Sequence, residues 1–452
     1  MKVIVAGAGE VGFNISEKLS REKIDVVLID ESQERLRACS DALDVQTVLS
    51  PVSRPQVLLD AGIQDSELFV AVTGSDSDNI LACRYSQLLA PDVRRLARVR
   101  DSAAYGGLSE LEVRDGLGLT YIIDPTALVV DNIVDFMAIP GAGDVIDVSG
   151  GKLKLVGLRL PRHHPIVGVP LMQSLPREEG NKLLVAAIYR HHELLIPNGS
   201  TVLQPLDLLY LAATPDSLPE VSRFFDIDWR PAKTVFIMGG GEVGLHLARR
   251  LEGEDFSVIL IERSEERCEF LSRVLRKTVV IHGDATDQSL LEDEGVGECD
   301  IFIAVGTDDE KNMISCLLAR RLGARNTITR VNRFSYVPLV SAIGLEALVS
   351  ARVAAVSAIL KYVRKGLVVS VATLQNEEAE IIEVEVPASS RLAGHRLMDA
   401  KLPERTIVCA QIRGGEVIIP RGSTVIESGD VLAVVARSES VGLLEKALAG
   451  RK

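Results

Sequence analysis

Two stretches of this chain place glycines and an acid at spacings that suit a nucleotide. Residues 234–262 read TVFIMGGGEVGLHLARRLEGEDFSVILIE. An apolar β-branched run, Val235 to Met238, leads into the turn Gly239-Gly240-Gly241-Glu242-Val243-Gly244. A helical pattern follows, with Leu247, Ala248 and Leu251 on one face, and a second apolar run ends on Glu262. Strand, G-x-G-x-x-G turn, helix, strand and terminal acid, in that order, are the parts that hold a pyrophosphate and a ribose. The first glycine permits the turn, the second lets the backbone approach the anion, and the third lets helix and strand pack closely. The helix N-terminus adds free N–H groups and a partial positive charge. Glu262 is placed to accept hydrogen bonds from ribose hydroxyls and would repel a 2′-phosphate, which favours NAD-type ligands over NADP.

The chain opens on the same construction. Residues 3–30 read VIVAGAGEVGFNISEKLSREKIDVVLID, with Gly7-Ala8-Gly9-Glu10-Val11-Gly12 in the turn and Asp30 at the acid position. A lone glycine fingerprint also serves as the N-terminus of a helix that binds nothing. Two copies, each with strand, helix and acid in place, argue for two binding units, the second more firmly than the first.

Other motifs repeat around them. In the second half a strand ends at His282 and Gly283-Asp284-Ala285 follows. There Asp284 can accept from the exocyclic amine of an adenine and the Ala285 N–H can donate to its ring; Asp284 as a helix N-cap is the competing reading. The first half has Ser50-Pro51-Val52-Ser53 at this place, so the two pockets are not expected to bind one ligand equally well. IAVGTDDEKNM (residues 303–313) answers VAVTGSDSDNI (residues 70–80), which adds Thr73-Gly74 and Thr307 to the candidate loops. Arg98 and Arg330 also correspond, with Arg100 beside the first. An arginine at a strand's carboxyl end serves equally well as a phosphate ligand or in a surface ion pair. Asp78 is expected to cap the helix after Thr73.

The elements that position these residues are alternating strands and helices, which give a parallel sheet covered on both faces. In such sheets ligands lie at the carboxyl ends of the strands. The expected class is α/β: two Rossmann-like, doubly wound parallel-sheet domains, each followed by a small α+β domain. The expected boundaries are 1–120 for the first nucleotide-binding domain, 121–143 for a connecting helix and 144–228 for the first strand-rich domain. The plan repeats at 232–345, 346–367 and 368–452. The second connecting segment carries Arg352, Lys361, Arg364 and Lys365 among small apolar residues. Ile-Pro-x-Gly-Ser-Thr, at Ile196–Thr201 and Ile419–Thr424, recurs in the strand-rich parts, and Gly199 and Gly422 are expected to supply positive backbone dihedrals.

Composition narrows the function. A formal net charge of −13 argues against general affinity for nucleic acid or anionic lipid. Aromatics at 4% argue against base-stacking platforms. Six scattered cysteines without a CxxC pair suggest neither zinc nor a disulfide framework, and free thiols fit a reducing cytosol. Cys83 and Cys316, at matching places, read as small core residues on helices. The pairs His163-His164 and His191-His192 raise a metal site, but neighbours on a strand point to opposite faces, which favours solvated turn histidines. The first strand begins almost at Met1, so no signal peptide is expected. No apolar run reaches about 18 residues, so no spanning helix is expected and membrane work requires a partner. No P-loop is present. No acid or base suggests itself opposite a nicotinamide, and no catalytic residue is assigned. Tandem ligand-binding units of this kind suggest a sensor that converts occupancy into shape change. A duplicated NAD-dependent oxidoreductase and a scaffold with vestigial pockets are the alternatives.

The doubled order of G-x-G-E-V-G, its acid, G-D-A-T, T-D-D-E-x-N and I-P-x-G-S-T resembles the TrkA family, the regulatory subunits of Trk-type potassium uptake systems. The resemblance spans essentially the whole chain. That family is built from two tandem RCK units, each a Rossmann-like domain plus a C-terminal domain. The resemblance implies a cytosolic protein, peripheral to the inner face of the membrane. Its partner would be a membrane-embedded, TrkH-like channel or transporter subunit. It also implies binding of NAD(H) and of ATP or ADP, and a homo-oligomeric ring. Carried over by motif, the contacts are Gly7 to Gly12, Asp30, Thr73, Gly74 and Arg98 in the first half. In the second they are Gly239 to Gly244, Glu262, Gly283, Asp284, Ala285, Thr307 and Arg330.

Overall fold

A computed structural model describes residues 1–100, 115–139, 141–174, 183–191, 193–226, 232–345, 347–363, 368–374, 379–437 and 440–448. They fall into two compact bodies, Met1–Val129 with Ser350–Arg364, and Val130–Val349 with Lys365–Lys452.

The first body is built on a parallel sheet of β1 (Lys2–Ala6), β2 (Asp25–Asp30), β3 (Gln46–Leu49), β4 (Leu68–Ala71), β5 (Arg94–Arg98) and β6 (Tyr121–Ile123), in the order β3-β2-β1-β4-β5-β6. The order reverses between β1 and β4, which opens a crevice at their carboxyl ends. The apolar runs predict this sheet because both faces are covered: Val3 to Ala6 and Leu68 to Ala71 are fully buried. Helices α1 (Glu10–Arg21), α2 (Gln33–Ala42), α3 (Pro55–Asp60) and α4 (Asp76–Leu89) supply the cover. So does a helix from far along the chain, Ala351–Val363. Its Ala355, Val356, Ile359, Leu360 and Val363 share one core with Ile15 and Leu19 of α1, and Tyr362 stacks on Tyr121 at 4.8 Å.

The second body repeats the sheet. β12 (Thr234–Met238), β13 (Ser257–Glu262), β14 (Val279–His282), β15 (Ile301–Ala304), β16 (Asn326–Arg330) and β17 (Ala347–Val349) run in the order β14-β13-β12-β15-β16-β17. This body also holds two antiparallel sheets. β7 (Asp144–Val148), β8 (Leu153–Arg159), β9 (Leu183–Arg190), β10 (Glu193–Leu195) and β11 (Leu208–Ala213) form one. β18 (Val368–Leu374), β19 (Ala379–Glu385), β20 (Thr406–Arg413), β21 (Glu416–Ile418) and β22 (Val431–Arg437) form the other, with the same topology. The two sheets share a core that includes Tyr210, Leu155, Ile381 and Val435. At its edge the Glu383 carboxylate accepts from the Ser149 amide at 2.9 Å and its hydroxyl at 2.6 Å.

Several sequence expectations are corrected. The sixth strands, Tyr121–Ile123 and Ala347–Val349, were expected as parts of connecting helices. Each has three residues, too few to show an alternating pattern, and an adjoining helix begins at Pro125 or Ala351. Asp124 accepts from the amides of Thr126 and Ala127 and so fixes the first start. The cap of α4 is Ser75, which accepts from the Asp78 amide at 3.2 Å; Asp78 lies inside the helix. Neither Gly199 nor Gly422 has a positive φ. Their need is space, since an added Cβ would lie 3.4 Å from Cβ of Met172 and 3.3 Å from Cβ of Met398 respectively. Those methionines donate their amides to Gly199 and Gly422 at 2.9 Å.

Cys83 and Cys316 are fully buried, as expected, and burial pushes the Cys316 thiol up to about 12. His164 stacks on Phe225 and bonds the Phe224 carbonyl at 2.9 Å, a packing role. His192 lies outside the described residues. No cluster of three metal-ligating groups occurs among the described residues, and no described helix is long and apolar enough to cross a membrane.

Asp144 on β7 accepts from the Tyr210 hydroxyl at 2.9 Å, yet burial pushes its carboxyl up to about 6. A raised carboxyl contributes stability that is present at low pH and is lost as pH rises through the folded value. Asp144→Asn is therefore expected to raise the thermal midpoint near neutral pH, with the gain shrinking as pH falls below about 6. A pH series of melting curves checks this.

Candidate functional site

Each glycine turn is held by a backbone contact that a side chain would forbid. Gly7 and Gly239 have φ of 108° and 104°. A Cβ on Gly12 would fall inside the Gly7 carbonyl oxygen, and one on Gly244 inside the Gly239 carbonyl oxygen. The helix start is thus pressed onto the end of the strand. Gly9 and Gly241 differ: an added Cβ there meets nothing within 4 Å. Gly9 lines the first crevice, where bareness serves whatever enters it, and Gly241 holds the matching place in the second turn.

The acids anchor the turns. Asp30 accepts from the Ala8 amide at 2.7 Å and the Ser32 amide at 2.8 Å. Glu262 accepts from Gly240 at 2.6 Å and Ser264 at 2.8 Å. Each carboxylate oxygen keeps a lone pair, so ribose hydroxyls can still be received.

The helices that follow are left open. Gly9 is the N-cap of α1 and Gly241 that of the Glu242–Glu252 helix, each without a side-chain cap. By contrast Ser32, Ser75, Ser264, Asp287 and Asp308 each cap their helix. The orphan N–H groups and the positive helix end therefore face the crevice.

On the far wall, Asn79 accepts from the amide and hydroxyl of Thr73 at 2.9 and 2.7 Å and donates to the Arg98 carbonyl at 2.9 Å. Asn312 repeats the bond to the Arg330 carbonyl at 2.9 Å. Arg98 donates to the Thr73 carbonyl and Arg330 to that of Val305 at 3.4 Å. Burial lowers both guanidinium pKa values. Their Nε atoms are buried without a partner, and neither arginine makes an ion pair among the described residues. Arg100 is the residue in an ion pair, with Asp76 at 3.3 Å.

Around the first turn these parts enclose a cavity of about 870 Å³. Gly7 to Val11, Asp30, Thr73, Gly74 and Arg98 line it, as do Ser50, Pro51 and Val52. Gly12 does not line it; its place is behind the turn. At the second site Asp284 accepts from the Thr286 amide at 3.0 Å and hydroxyl at 2.7 Å, which holds its carboxyl below the usual range, with Lys311 at 3.6 Å. The N-cap of the next helix is Asp287, not Asp284. Gly283 is packed by Leu290 and Ala285 is buried.

Three residues escaped sequence reasoning as site residues. Arg267 donates to the Gly240 carbonyl at 2.7 Å and pairs with Glu242 at 3.1 Å. Its counterpart Arg35 lies 4.0 Å from Asp30. Their match within the repeat was the available signal. Arg352, from the Ala351–Val363 helix, also lines the first cavity. No local signal marks it, because its neighbours in space lie in the first half.

The TrkA-N domain model matches residues 3–125 and 235–351, and the TrkA-C domain model matches residues 155–226 and 381–449. The chain is 36% identical over 434 residues to the Trk system potassium uptake protein TrkA of Halomonas elongata, spanning 95% of this chain and 94% of that one. It is 35% identical over 433 residues to the protein of the same name from Vibrio alginolyticus, with the same two shares. The crystal structure of the GsuK RCK domain matches at a TM-score of 0.59 and 21% identity, covering 100% of this chain and 95% of that one. The GsuK channel bound to NAD matches at 0.59 and 21%, covering 100% of this chain and 79% of that one. These structural likenesses establish the fold, two Rossmann-like sheets each paired with a small C-terminal domain.

The glycines separate by role. Gly9→Val and Gly241→Val are expected to lower the thermal midpoint only by the loss of a favourable N-cap residue, about 1 kcal/mol or less, and to remove nucleotide binding from their own half. Gly12→Val and Gly244→Val are expected to destabilise by about 1–3 kcal/mol or more through overpacking. Melting curves with titration calorimetry on the four variants check both halves of this expectation.

Proposed function

Because the chain belongs to the TrkA family, with TrkA-N and TrkA-C domains present twice, we propose that it is the nucleotide-reading regulatory subunit of a potassium uptake system. It binds NAD(H) and ATP or ADP, and passes their occupancy to a membrane-embedded, TrkH-like partner through a homo-oligomeric ring. It acts on the cytoplasmic side of the membrane without entering it and turns over no substrate. The domains follow the boundaries read from the sequence, with the sixth strands added to the nucleotide-binding units.

One observation carries this reading. In each half an uncapped helix N-terminus, a carboxylate and a half-buried arginine with an unpartnered Nε converge at the switch point of a parallel sheet. Positive groups without anionic partners suit a pyrophosphate, and the carboxylate suits ribose hydroxyls. The ligand contacts proposed are those carried over by motif, with Gly12 and Gly244 acting from behind the turn. The unequal adenine ends, Pro51 and Val52 against Asp284 and Ala285, suit two pockets of different preference. A regulator needs only differential affinity between two shapes, typically about 1–3 kcal/mol.

Titration calorimetry with NADH, NAD, ATP and ADP tests the reading, on wild type beside Gly9→Val and Gly241→Val. Potassium flux through the reconstituted partner is measured with the same proteins. Binding lost pocket by pocket, with flux that follows it and no NADH oxidation, is the expected result. Steady oxidation of NADH, or flux indifferent to every nucleotide, would overturn it.

A further inference from the structure

Arg352 is the second residue of the Ala351–Val363 helix and so belongs to the second half of the sequence, yet it lines the first cavity. We infer that Arg352 is a diphosphate-binding residue of the first pocket, and that through it occupancy of that pocket is tied to the helix leading into the second strand-rich module. This rests on the nucleotide-binding reading above and names a residue that the motifs do not reach.

The placement is built. Ala355, Val356, Ile359 and Leu360 anchor the helix in the core beneath α1, and the Tyr121–Tyr362 stack holds its far end. The first turn of the helix is thereby fixed beside the open N-terminus of α1. There the Arg352 guanidinium donates to the Asn14 side chain and lies 4.0 Å from Glu10, a loose pairing with a carboxylate that is 73% exposed.

The electrostatics point to an anion. A cation beside a helix N-terminus is repelled by the helix dipole. Here it faces the same cavity as Arg98, whose Nε is buried and unpartnered. Three positive sources, the α1 terminus, Arg98 and Arg352, converge on one space. A diphosphate placed among them converts the repulsion into charge-assisted hydrogen bonds, for which a guanidinium fork is well shaped.

The repeat shows that this arginine is not required to build the helix. Arg98 pairs with Ile123 as Arg330 pairs with Val349. In that register the counterpart of Arg352 is Thr126. The same fold position carries an arginine only in the copy that reaches the first pocket.

The experiment uses the full chain carrying Gly241→Val, so that the first pocket is read alone. Arg352→Gln and Arg352→Lys are added to it. Calorimetry is run with ADP, NADH and adenosine, and amide hydrogen exchange is followed over residues 351–363 with and without ADP. Arg352→Gln is expected to weaken ADP and NADH by about tenfold or more and to leave adenosine unchanged. Arg352→Lys is expected to recover part of the loss. ADP is expected to slow exchange in the helix in the parent but not in Arg352→Gln. Adenosine separates the phosphate contact from a general effect on the pocket, and Arg352→Lys answers if Arg352→Gln folds poorly. Equal ADP affinity in parent and both variants, or an equal loss for adenosine, would overturn the inference. Failure of the parent to bind ADP and NADH would instead overturn the nucleotide reading itself.

Discussion

The structure depends on one close approach, made twice. The first turn of a helix sits so near the preceding strand-end carbonyl that Gly12 and Gly244 have no room for a methyl group. That contact sets the helix N-terminus at the mouth of the crevice. Helix dipole, orphan amides and bare second glycine follow from it. The crevice itself comes from the sheet, because β1 and β4, or β12 and β15, send their chains to opposite sides. The acids at the ends of β2 and β13 then pin the turn by accepting from its middle amide. Asp30 and Glu262 are part of the turn's own architecture before they are part of any ligand site, and their remaining lone pairs are what a ribose would meet.

The two copies reached this geometry with different side chains. The middle residue of the first turn is Ala8, and the residue at the matching place on α2 is Cys39. In the second copy these are Gly240 and Leu271, and a Cβ on Gly240 would collide with the Leu271 side chain. A methyl group on the turn is exchanged for bulk on the helix, as close packing demands. The opposite wall diverges in another way. Thr73 satisfies the Asn79 side-chain oxygen with both amide and hydroxyl, whereas Gly306 stands in its place and the Asn312 side-chain Oδ1 is buried without a hydrogen-bond partner among the described residues. Pro51 and Val52 replace a carboxylate and a small residue at the outer strand. The scaffold is shared, while the chemistry presented to a ligand is not.

Much of this was legible in the sequence because it is written in local spacing. Glycine turns, terminal acids and buried β-branched runs carry their meaning within about 30 residues of one another, and the duplication doubled the signal. What was illegible is non-local or short. β6 and β17 have three residues each and merge with the helices that follow. The Gly199 and Gly422 turns looked like conformational requirements, but their glycines answer to Met172 and Met398 crossing above them. The cap of α4 went to Ser75 because the serine oxygen, three residues before Asp78, is the one that reaches the open amide. Arg352 lay in plain view among small apolar residues. Only the packing of its helix on α1 gives it a neighbourhood.

That packing changes what the duplication means. Two independent copies would each cover their own sheet, and a ligand in one would be felt only there. Here the helix following the second sheet completes the core of the first body. The chain then continues from that helix towards β18 of the second antiparallel sheet. A residue at the mouth of the first pocket therefore belongs, in covalent terms, to the segment that joins the second nucleotide-binding unit to its strand-rich module. Coupling requires an element whose equilibrium both sites bias. A helix buried against α1 along one face, with Arg352 beside the open end of α1, is placed where an anion in the first pocket would change the balance of charge at its first turn without disturbing its core, which is what the role inferred for Arg352 requires.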